Sequence, residues 1–168
     1  MNLREEILKE HSKVQCNKIV KWIANSQERF NELFQLFLHD EYRVVQRAAS
    51  PVSYCVIANP KFIADNFEEL IVNLKKPGIH NSIKRNSIRL LQHVEIPERY
   101  QGEIMNLCFE YIASPTEPVA AKVFSMTVLA NLSNKYPDIK KELKQLIEEQ
   151  LPHQTSAFKS RASKLLKK

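Results

Sequence analysis

The basic residues of this chain recur at one spacing. Arg47 and Arg85 stand 38 residues apart, and Lys84, Lys122 and Lys159 follow one another at 38 and 37. Arg43, Arg89 and Arg161 lie in the same segments. Guanidinium and ammonium groups repeated along a surface do one kind of chemistry. They attract an anionic partner through screened, salt-sensitive contacts. These eight side chains are the candidate partner-binding residues.

Other reactive side chains are present without the company that catalysis needs. No serine sits in a GxSxG elbow and there is no HExxH. Cys16, Cys55 and Cys108 form no CxxC pair and no zinc pattern with the five histidines. Their neighbours are apolar, as in Tyr54-Cys55-Val56 and Leu107-Cys108-Phe109, so they read as small reduced core residues. His80 reads as a helix cap and His93, near Glu95, as part of a helix-end pair. The expectation is no enzyme, no cofactor and no metal.

Composition narrows the fold. The chain has 168 residues, 43% hydrophobic and 26% charged, which fits one globular domain. Two glycines against eight prolines nearly exclude glycine-dependent classes such as doubly wound nucleotide-binding sheets and β-sandwiches. The N-terminus carries early acids and no apolar signal core, and no run is long enough to span a membrane. With reduced cysteines, this leads to an expected cytoplasmic protein.

The elements that must position the basic residues are written in the prolines. Pro60, Pro97 and Pro137 are spaced 37 and 40; Pro77, Pro115 and Pro152 are spaced 38 and 37. Both series are expected to mark helix starts. Between them one apolar stripe recurs: Phe30, Leu33, Phe34, Phe37; then Phe67, Leu70, Ile71, Leu74; then Ile104, Leu107, Cys108, Tyr111; then Leu143, Leu146, Ile147 with a polar Gln150. Each is one face of an α-helix. These define A helices near 27–39, 61–76, 98–113 and 137–151. A second ladder, Val52, Leu90, Val128 and Leu165, defines B helices near 42–58, 81–95, 118–134 and 154–167. Pro51 should kink or interrupt the first of these. Short helices near 2–10 and 12–25 form a degenerate repeat or an N-terminal cap.

Repeats of this kind stack because one pair cannot bury both its faces alone. The expected fold is all-α: a right-handed α-α superhelix of about four helical hairpins in a single domain. Residues 1–26 are the cap and the repeats span about 27–59, 60–96, 97–135 and 136–168.

The stretches Asp40-Glu41-Tyr42-Arg43-Val44-Val45-Gln46-Arg47-Ala48-Ala49 and Asn81-Ser82-Ile83-Lys84-Arg85-Asn86-Ser87-Ile88-Arg89-Leu90-Leu91 resemble second helices of HEAT repeats, the armadillo-type α-solenoid family. Asp40 and Glu41 match the acidic turn of that family, and Glu117 stands at the third turn. The second and fourth turns carry Pro77-Gly78 and Pro152-His153 instead. The resemblance covers residues 27–167. It implies scaffolds and adaptors more than enzymes, and B helices lining a concave face.

Charge follows the same division. Within the B segments there are ten basic residues and one acid, Glu95, while acids outnumber bases on the A helices. The net charge is +6, and Lys159, Arg161, Lys164, Lys167 and Lys168 supply five of it from the last ten residues. That tail has a simpler reading as a solvated end cap beside a helix C-terminus. The reading that follows is a non-catalytic scaffold that binds an acidic protein or peptide on a basic groove. The alternative is phosphate-directed nucleic-acid binding on the same groove. A relative of the HEAT-like DNA glycosylases ranks lower, because Trp22 lies in the cap and Asp40, Asp65 and Asp138 read as cap or surface residues.

Overall fold

The computed structural model describes residues 1–167; Lys168, counted above in the basic tail, lies outside the described residues. Among the described residues there are ten α-helices and no strand. They fall into two compact units, Met1–Val94 and Glu95 onward.

The first unit holds α1 (Leu3–Lys9), α2 (Lys13–Ile23), α3 (Gln27–His39), α4 (Tyr42–Ala58), α5 (Phe67–Leu74) and α6 (Asn81–Leu91). Side chains at the entrances set where helices begin. Asn2, Ser12 and Ser26 accept hydrogen bonds from the backbone N–H groups of Glu5, Gln15 and Arg29, satisfying donors that have no partner inside the helix. His80 caps α6 in the same way: its Nδ1 accepts from the Ser82 N–H at 3.1 Å.

α4 is the hub of this unit, packing against α1, α2, α3 and α6. Its Val44, Ala48, Ala49, Val52 and Val56 are fully buried. The small Ala48-Ala49 pair lets neighbouring helices approach. The apolar stripe of α3 is buried throughout, and so is that of α5.

Three expectations need correction. Pro51 does not interrupt α4, which runs unbroken through it. The missing N–H costs one helical bond to the Arg47 carbonyl, but the proline is itself buried within a helix held on several sides, and packing offsets the loss. The second A helix does not begin at 61. Residues 60–66 form a 3-10 segment, and α5 starts at Phe67. Asn59 tightens that turn by accepting from the Lys61 N–H, and Phe62 and Ile63 enter the core there. The Phe62 ring stacks on Phe30 at 4.8 Å. Finally, only one proline series opens helical segments. Pro60 and Pro137 are first residues and Pro97 is an N-cap, whereas Pro77 and Pro115 lie in connections and Pro152 in a short 3-10 turn. Gly78 follows Pro77 with φ of 68°, a left-handed conformation that costs glycine nothing.

The second unit holds α7 (Glu98–Ala113), α8 (Val119–Leu132), α9 (Pro137–Gln150) and α10 (Ser156–Leu166). Here α8 is the hub, packing against α7, α9 and α10. Val128 and Leu129 are fully buried on it, and Phe158 of α10 is fully buried as well. In both units the B helices pack on each other, α4 on α6 and α8 on α10.

Candidate functional site

The α4–α6 packing brings Arg47, Arg85 and Arg89 to one cleft of about 290 Å³ in the first unit. The C-terminal end of α1 contributes Ile7 and Glu10, and the following connection contributes His11 and Ser12. The first turns of α2 add Lys13, Gln15, Cys16 and Ile19, and α4 adds Ser50, Pro51 and Tyr54. Three arginines and one lysine therefore line a space whose lining contains a single carboxylate, Glu10.

The arginines are held differently. Arg47 is half-buried, and its Nη1 donates to the Leu8 carbonyl at 2.8 Å, at the end of α1. Arg89 is half-buried too; its guanidinium lies 5.3 Å from the Tyr54 ring centroid and donates to Asn86 Oδ1 at 3.3 Å. Asn86 is fixed in turn by its own bond to the Ser82 carbonyl at 2.7 Å. Arg85 is exposed, one helical turn before Arg89 and on the same face.

Cys16 lies in the cleft wall. Burial pushes its thiol up to about 11, although the charge of Arg89 pulls the other way. Cys55 and Cys108 are pushed up to about 12 by burial, and all three cysteines are buried and form no disulfide, as expected of core residues.

The other candidate residues do not join this cleft. Arg43 is exposed one turn before Arg47, and Lys84 is half-buried on α6; neither lines it. In the second unit Lys122 is buried, at 4% exposure, and lines a separate cleft of about 460 Å³ with Glu117, Glu149 and His153. Burial lowers the pKa of its ammonium group and the charge of Glu117 opposes that. Lys159 is exposed on α10 and does not line that cleft, while Arg161 donates to Thr127 Oγ1.

Lys13, His11 and Tyr54 enlarge the set. Lys13 and His11 escaped the spacing argument because they belong to the N-terminal cap and have no counterparts one repeat away. Tyr54 could be noticed only as an aromatic residue on a basic helix.

The features of a repair-type active site are not assembled. Asp40 is paired with Arg4 at 3.0 Å, Asp65 and Asp138 are exposed, and none of the three lines the cleft. Trp22 lies under the Arg29 guanidinium at 4.8 Å. Among the described residues no cluster of His, Cys, Asp or Glu is placed to hold a metal ion, and no helix is long and apolar enough to cross a membrane.

Comparison with known proteins agrees with the packing. A family model for the HEAT repeat domain matches residues 3–168. HEAT repeats generally act as protein-interaction scaffolds, and the family is generally non-catalytic. No curated protein and no solved structure matches the chain. The match covers nearly the whole sequence, including the N-terminal pair read above as a cap, and the chain belongs to the HEAT repeat family.

Proposed function

We propose that this protein is a non-catalytic binding module for an acidic protein or peptide, with the basic cleft of the first unit as its working surface. One observation carries the reading: Arg47, Arg85 and Arg89, from two adjacent B helices, converge with Lys13 on one concavity against a single carboxylate. Such a site gains its affinity from charge and its selectivity from groups already held in place. Arg47 and Arg89 are held by the Leu8 carbonyl and by Tyr54 with Asn86.

The test is fluorescence anisotropy of the full chain with a labelled glutamate-rich peptide, read against salt. Binding should weaken steadily from low to physiological salt and be lost in Arg85→Glu, a substitution at an exposed position. Salt-insensitive binding, or binding unchanged by that substitution, would overturn the reading. The exposed Tyr54 ring beside Arg89 favours a second reading, single-stranded nucleic acid with a base stacked on the ring. Tighter binding of an unlabelled oligonucleotide, together with its loss in Tyr54→Ala, would select it.

A further inference from the structure

We infer that the anionic group taken by the basic cleft is a phosphomonoester carried on a peptide side chain, so that the protein reads phosphorylation of its partner. This rests on the proposed function and specifies its ligand.

Size is the first argument. A cleft of about 290 Å³ has room for one side chain with its terminal group. Affinity must then come from the charge concentrated on that one group. A carboxylate brings one negative charge, whereas a phosphomonoester brings about −1.5 to −2 near neutral pH and three acceptor oxygens. A phosphodiester in a nucleic-acid backbone brings one and is tethered on both sides.

Donor type is the second argument. The cleft presents arginines more than lysines, and planar guanidinium forks match phosphate oxygens two at a time. Arg85 and Arg89 lie one turn apart on one face of α6, and Arg47 faces the same space from α4. Lys13 adds a point charge at the start of α2.

Preorganisation is the third. The Arg89 fork is fixed by Tyr54 and Asn86, and Arg47 by the α1 carbonyl, so little side-chain freedom is lost when a ligand enters. Ile7, Cys16, Ile19 and Pro51 supply an apolar wall that suits the carbon stem below a phosphate.

The experiment uses the full chain and three labelled peptides of one sequence, with phosphoserine, glutamate or serine at the central position. An oligonucleotide serves as a fourth probe. The phosphoserine peptide should bind at least about ten-fold more tightly than the glutamate peptide, a margin expected when a bidentate dianion replaces a monoanion. Inorganic phosphate should compete. Arg85→Gln should remove the preference, and Arg85→Lys, which keeps the charge but loses the fork, should remove most of it. Circular dichroism of each variant checks that the helices are retained. Equal binding of the phosphoserine and glutamate peptides, both lost in Arg85→Glu, would overturn this inference and leave the proposed function standing. No binding of any peptide would overturn both. Preference for the oligonucleotide over the phosphopeptide would replace both with the nucleic-acid reading.

Discussion

Arg47 Nη1 donates to the Leu8 carbonyl at 2.8 Å, tying the middle of α4 to the last turn of α1. The carbonyls at a helix end have no donor within their own helix, so a guanidinium there satisfies a group that would otherwise need water. The same side chain lines the basic cleft. One residue therefore links the shape of the cleft to the attachment of the N-terminal helix. Arg47→Ala should lower unfolding free energy by about 1.5–3 kcal/mol, the usual range for a hydrogen bond from a charged donor. Chemical denaturation measures this, and amide exchange in α1 should quicken. Arg47→Lys should recover only part, since the lysine ammonium ends one atom short of the Nη1 position that meets the Leu8 carbonyl. Unchanged stability and exchange in Arg47→Ala would show that α1 is held by its apolar face alone.

The connection after α2 carries strain that a single substitution should relieve. Ala24 caps the helix with φ of 50° and ψ of −118°, a conformation in which a Cβ is crowded. It is exposed, so nothing in the core depends on its methyl group. Ala24→Gly should raise stability by about 1 kcal/mol, the low end for a residue held in a sparsely populated backbone region. The gain would be smaller than the strain removed, because glycine also enlarges the freedom of the unfolded chain. A thermal melt that falls instead of rising would refute the strain.

Particular residues show what was legible in the sequence. The stripe Phe30, Leu33, Phe34, Phe37 located α3 because an apolar face with helical period must be buried, and it is. Pro51 misled, because proline chemistry describes an isolated helix, whereas α4 is held by its neighbours. The 3-10 start at Pro60 was hidden for a related reason: Asn59 and the burial of Phe62 decide it, and neither has a period. At the site, the 38-residue spacing from Arg47 to Arg85 found two walls of the cleft. It equally nominated Lys122, which is buried, because a period fixes the helix face only approximately and carries no record of depth. Lys13 and His11 come from outside the repeat pattern, and only folding brings them to the arginines.

Acid should unpick the N-terminal pair in a defined window. The Glu6 carboxylate accepts from Lys18 Nζ at 2.7 Å, from Lys9 Nζ and from Gln15 Nε2 at 2.8 Å. Those hydrogen bonds, from Lys18 first, hold its pKa at about 2, against an ordinary value of 4.5. The folded state thus binds this proton more weakly than the unfolded chain. The stability contributed by the cluster is complete above pH 4.5 and is lost as the pH falls toward 2. Glu6→Gln should be less stable than the parent at neutral pH. The difference should close on acidification through that window. Denaturant midpoints taken at steps from pH 7 to pH 2.5 measure it, and parallel curves for the two proteins would rule the cluster out as an acid-labile contact.

The basic C-terminal helix and the basic cleft make separable predictions. Lys159 and Lys164 are exposed on α10, whereas Phe158 and Ala162 on the same helix are fully buried. Truncating residues 159–168 would remove Ala162 along with the charge and damage the second unit, so it would confuse unfolding with lost binding. Exposed charges can be changed without that cost. Substituting both Lys159 and Lys164 by Gln should leave affinity for an acidic peptide within about two-fold, because neither side chain lines the cleft and exposed, solvated charges are screened at physiological salt. Arg85→Gln, which removes one guanidinium of the cleft, should lower it by about ten-fold, as expected for loss of a charge-assisted contact. Anisotropy titrations of the three proteins at one salt concentration decide the matter. If the double lysine substitution abolishes binding while Arg85→Gln does not, the partner docks on α10 and the cleft is not its site.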